Sequence, residues 1–137
     1  MHFAGISYIA VVFAAAASFV FGFAYYMAFG KPWMEALGKT KADIENRKSP
    51  LPFIIAAVAE LVIAYMLAGV MGHLGRDAMT VPTGLITGLC AWIGFVITTM
   101  GVNHAFQGVR PMLTLIDGGH WLGVLLLQGL IIGWIGL

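Results

Sequence analysis

Uncharged runs and short charged breaks alternate along the chain. Gly5 to Gly30 has no Asp, Glu, Lys or Arg. Leu51 to Gly75 has only Glu60, Ala78 to Val109 has none, and Gly118 to Leu137 has none. A helix rises 1.5 Å per residue, so about 20 residues cross a hydrocarbon core of about 30 Å. Each run is long enough. None shows the strict polar–apolar alternation of a barrel strand. The pattern predicts an all-α integral membrane four-helix bundle forming one domain over 1–137. Its spans are expected at about 5–29, 52–74, 82–107 and 115–136, with a long loop over 30–51.

The first run lacks the basic prefix of a secretory signal, and its basic residues follow it, so it is expected to remain as a span. Loop charge sets the expected orientation. Lys31, Lys39, Lys41, Arg47 and Lys48 fall in the first loop and Arg110 in the third, against Arg76 alone in the second. The first and third loops are therefore expected in the cytoplasm, with both termini outside. Met34, Leu37 and Ile44 could give the first loop a short amphipathic surface helix; a plain solvated loop is the alternative. "SPLPF" and "TVPTG" place Pro in a first helical turn, with Thr80 as an expected N-cap.

Depth follows from orientation. Glu60 is expected roughly 13 Å inside, nine residues along its span. Thr98, Thr99 and Gln128 are expected near its level. Tyr25, Tyr26, Asn103, His104, Asp117 and His120 form a shallower layer, and Ser18 falls in the outer half. Asp117, His120, Val124 and Gln128 share one helical face. Glu60 lies within the small-residue series Ala56, Ala64, Ala68 and Gly72 at steps of four, which is expected to face a neighbouring helix rather than lipid. A charge at mid-bilayer costs at least about 2.5–3.5 kcal/mol. Glu60 thus has three solutions: a neutral carboxyl bonded to Gln128 or Thr98, a pair with His104 or His120, or a wet crevice. Asp117 in "DGGH" also reads as the N-cap of the fourth span. Arg110 is a candidate anion contact beside that helix start.

Composition sharpens the class. The chain is 61% hydrophobic against roughly 45–50% in soluble domains, and 9% charged against about 25%. A net charge of +1 carries no nucleic-acid signature. The single cysteine, Cys90, excludes an intrachain disulfide. No Ser–His–Asp, phosphate-loop or H-E-x-x-H pattern occurs, so no catalytic residue is named.

Two patches, "FGFAYYMAFGKPW" and "NHAFQGVRP…LIDGGHWL", resemble signatures of the bacterial membrane proteins grouped as domain of unknown function 1761. The resemblance implies a small four-span inner-membrane protein and supplies no activity. It places Tyr26, Trp33, Asn103, Asp117 and His120 within the recognisable motifs.

The leading expectation is a polar pocket in the cytoplasmic half, binding or transporting a small polar solute or protons. The alternative is an accessory subunit of a larger membrane complex. A third reading is a redox protein with haem or metal on His104 and His120; the identity of any cofactor is left open. The bilayer is the expected partner, together with a second copy or a host complex on the glycine face of the fourth span.

Overall fold

The computed structural model describes residues 5–136, and these form helices and turns with no strand among them. Four helical segments are long and apolar enough to cross a membrane: Tyr8–Leu37, Leu51–His73, Val81–Gln107 and Pro111–Ile135. They are called α1 (Tyr8–Leu37), α3 (Leu51–His73), α4 with α5 (Val81–Ala91 and Ile97–Gln107), and α6 (Pro111–Ile135). A short α2, Lys41–Glu45, lies in the first loop. A 3-10 turn, Arg76–Ala78, connects α3 to α4.

Local chemistry explains most of the helix ends. Ser7 caps α1 by accepting from the Ala10 amide. Thr80 caps α4 by accepting from Thr83, as its sequence suggests. Thr40 and Asp43 make a reciprocal capping box on α2. Gly38 and Gly108 end α1 and α5 at φ 68° and 67°, where a side chain would be strained.

Two boundaries differ from expectation. The first helix does not stop near residue 29 but runs through Pro32 to Leu37. A tertiary contact holds its last turns, where Arg110 donates to the Glu35 carbonyl at 2.7 Å, and within the helix Trp33 meets Tyr26 edge-on at 5.6 Å. Met34 and Leu37 belong to this extension, and only Ile44 lies in α2. The fourth span begins at Pro111, with Arg110 at the N-cap position. Asp117 therefore sits beyond the first turn and is not the cap.

The last helix is the central strut, lying against α1, α3, α4 and α5. Glycine makes its closest contact possible. A methyl group on Gly84 would overlap the carbonyl of Gly129, and one on Gly129 would overlap that of Gly84. Gly133 stands in the same way against the Thr80 carbonyl. Without a hydrophobic drive between helices in lipid, this close backbone approach supplies the van der Waals packing. Gly119 and Gly123 face Tyr25 and Phe21 of α1. The glycines expected to serve a second subunit are thus occupied inside the chain.

A π-helical turn, Trp92–Val96, joins α4 to α5. It adds one residue to the turn and rotates everything beyond it by about 100°. The positions facing α6 run Gly84, Gly88, Trp92, then Ile97 and His104. Trp92 donates its indole N–H to the Gly118 carbonyl at 2.8 Å. Ile97 fills the space over Gly118. This phase change turns Thr98 and Thr99 outward.

Candidate functional site

One buried polar cluster ties three spans together. Glu60 of α3 is 2% exposed, and Ser18 of α1 and Gln128 of α6 are fully buried. The Ser18 hydroxyl lies 2.7 Å from Glu60 Oε2 and 3.1 Å from the Ala15 carbonyl. Gln128 Nε2 donates to Ser18 Oγ at 2.9 Å and to the Glu60 carbonyl at 3.1 Å. Small neighbours make room: Ala14 and Ala64 are both fully buried near this level. Glu60 makes no ion pair among the described residues, where Lys41–Glu45 is the salt bridge formed.

A second cluster lies two helical turns away along the same α1–α6 interface, toward the first loop. Tyr26 donates to Asp117 Oδ1 at 2.7 Å, and Tyr25 donates to the Ile116 carbonyl at 2.7 Å. His120 is 7% exposed and sits among rings. Its ring centre is 5.0 Å from Tyr26, 5.6 Å from Tyr25, and 6.2 Å from Phe21, which it stacks upon. Gly22 lets the imidazole in, since a Cβ there would stand 3.0 Å from His120 Nε2. Phe21 and buried Val124 separate the two clusters.

Two buried atoms have no partner among the described residues: His120 Nδ1 and Gln128 Oε1. Buried polar atoms are nearly always bonded, and an orphan in a native interior calls for an explanation such as a bound water or solute. One orphan belongs to each cluster, and both residues lie on the same face of α6.

The structure therefore brings together Glu60 with Gln128, and Tyr25 and Tyr26 with Asp117 and His120. It does not bring Thr98, Asn103 or His104 to either group. Thr98 is exposed and donates to its own helix at Gly94, 3.0 Å away. Asn103 is exposed on α5. His104 bonds Thr114 Oγ1 through Nδ1 at 2.8 Å, on a different face of α6 from His120. The two histidines do not converge as a pair of axial ligands, and no group of three or more His, Cys, Asp or Glu among the described residues has metal-site geometry. Arg110 is engaged by the α1 terminus.

Ser18 was missed as a site residue. Its signal is the small series Ala10, Ala14, Ser18 and Gly22 at steps of four, which marks the buried face of α1. Its expected depth also differed from that of Glu60 by less than one helical turn.

Residues 9–133 match the family described as "Protein of unknown function (DUF1761)". The chain belongs to this family. The match spans all four long helices and both polar clusters, in agreement with the resemblance of the Tyr–Trp and Asn–His–Asp–His patches. No curated protein and no solved structure gives a match.

Proposed function

We propose that this DUF1761 protein is a multi-pass protein of the bacterial inner membrane. Its first loop and its Gly108–Arg110 turn face the cytoplasm, and the opposite ends of the spans face outward. In this reading the α1–α3–α6 interior binds protons, with or without a small polar solute, and moves them. The observation that carries the reading is the Glu60 carboxyl, buried mid-helix beside Ser18 with no cation to pair it among the described residues. An ionisable group inside a span is expensive to keep and marks proton or ligand chemistry by default.

Hydrogen counting supports a proton on this group. A serine hydroxyl carries one hydrogen. Here two acceptors lie within its reach, while Gln128 already donates to its oxygen. A carboxylic acid at Glu60 donates to Ser18 Oγ and frees the serine hydrogen for the Ala15 carbonyl. Every donor is then used. Loss of the proton reverses the Ser18–Glu60 bond, and the single serine hydrogen must choose between two acceptors. The cluster can thus load and unload a proton by rotating one hydroxyl. The orphans Gln128 Oε1 and His120 Nδ1 support a small polar guest, such as a water, at each cluster.

The test is proton flux in liposomes holding the purified chain and an internal pH dye. Flux above that of empty vesicles is expected, with Glu60→Gln folding normally and abolishing it. Wild-type vesicles no leakier than empty ones, or flux surviving Glu60→Gln, overturn the reading.

A further inference from the structure

The Glu60 cluster is closed toward both ends of the bundle. Away from the first loop, the buried side chains of Ala14, Ala64, Ala68, Met71 and Ile132 pack over it. Toward the first loop, eight residues of α6 separate Gln128 from His120, about 12 Å along the axis. Val124 of α6 and Phe21 of α1 occupy that interval. A carboxyl behind apolar groups exchanges its proton only where water or a polar chain reaches it, so one of these closures has to open.

The closing groups differ in how they are held. Val124 is fully buried, as are Ala14, Ala64 and Met71. Side chains in a close-packed interior have little room to turn. Phe21 is only half-buried. Its ring stacks on His120, with centres 6.2 Å apart and planes 7° from parallel. It also leans on Tyr25, centres 5.8 Å apart. The far edge of the ring rests on Gly123, where a Cβ would overlap it. The seat under the ring is therefore bare backbone, with no side chain at 123 to lock it. Exposed side chains change rotamer within picoseconds to nanoseconds, and Phe21 is the least confined of the closing groups.

We propose that Phe21 is a gate between the two polar clusters. With its ring on Gly123 and His120, Ser18 and Glu60 are sealed from the first-loop end. With the ring swung off Gly123, water passes between α1 and α6 and reaches Ser18. That protons use this opening rests on the proton reading of Glu60; the barrier to water does not.

A thiol at position 18 reports the barrier directly. Ser18→Cys is placed in a Cys90→Ala chain, and the purified full chain in lipid nanodiscs is treated with iodoacetamide and weighed by mass spectrometry. Buried thiols are inert, so the parent should react slowly. Phe21→Ala should speed the reaction about tenfold by admitting water and reagent. Gly123→Ala should do the same by pushing the ring off its seat while leaving every polar group in place. Phe23→Ala removes an equal ring from the 48% exposed side of α1 and should change nothing. Melting temperatures compared across the three variants separate a gate from general loosening. A thiol that reacts fast in the parent, stays slow in both Phe21→Ala and Gly123→Ala, or speeds up as much in Phe23→Ala overturns the proposal. With Ser18 intact, Phe21→Ala should also raise the Glu60-dependent proton flux in liposomes. Absent flux in every chain, with reactivity at 18 still set by Phe21, removes the proton reading and keeps the gate.

Discussion

Ser18 shows how much one small side chain carries. It bonds the Glu60 carboxyl, the Gln128 amide and its own backbone at Ala15. Ser18→Ala leaves the carboxyl without that partner in a fully buried site. A loss of about 1–2 kcal/mol is expected, read as a lower midpoint in detergent unfolding. Coupling between Ser18→Ala and Gln128→Leu in a double-mutant cycle should be positive and about 0.6–1.7 kcal/mol, the range of interhelical polar pairs in membranes. Asp43 gives a pH test outside the spans. The Thr40 backbone N–H, and then the Thr40 hydroxyl, hold its carboxyl below the ordinary carboxylate range. A group depressed on folding adds stability above its unfolded value, near 3.9 for Asp. That contribution is lost as pH falls through the lower folded value. The Thr40 amide resonance should therefore titrate below about pH 3.9, and Asp43→Asn should abolish the titration.

At the scale of elements, the π turn is the feature that sequence periodicity hides. Span existence was legible because four runs, three uncharged and one with Glu60 alone, are long enough to cross the hydrocarbon core. The nearness of Glu60 and Gln128 follows from depth and small-residue stripes, both regular in an α-helix, but the expected carboxyl–Gln128 bond is not formed: the carboxyl meets Ser18, and Gln128 bonds the Glu60 backbone carbonyl. Thr98 and Asn103 were placed by depth alone, which does not fix a helical face, and the π turn at Trp92–Val96 sets the face that they present. The early stop assigned to α1 has a different cause. Pro32 disfavours a helix locally, and the Arg110 contact that holds the helix there is long-range. Deleting Gly94, which has open space around it, should convert the π turn to α and rotate α5 back by about 100°. Cysteines placed at 104 and 114 should crosslink in the parent chain and fail to do so in the deletion. Gly84→Ala should cost about 1–3 kcal/mol by forcing α4 off α6. Gly101→Ala, with nothing within 4 Å, should be neutral and serves as the control.

For the molecule as a whole, both polar clusters are buried and lie toward the first-loop end of the bundle. Glu60, Tyr26–Asp117 and the Asn103–Gln107 amides lie in the half of the bundle bearing Lys39, Lys41, Arg47, Lys48 and Arg110. The other half is closed by the apolar core of Ala14, Ala64, Ala68, Met71 and Ile132. Charge and the position of the polar clusters are therefore coupled, because basic loop residues set orientation and lie at the same end of the bundle. Single cysteines at Lys39 and Asp77 test that coupling, with Cys90 replaced by Ala so that one thiol is reported at a time. In intact cells an impermeant maleimide should label the cysteine at 77 and spare the one at 39, and lysis should expose both. The reverse pattern would turn the polar end outward. In the proposed reading Glu60 would then lie nearer the external medium than the cytoplasm.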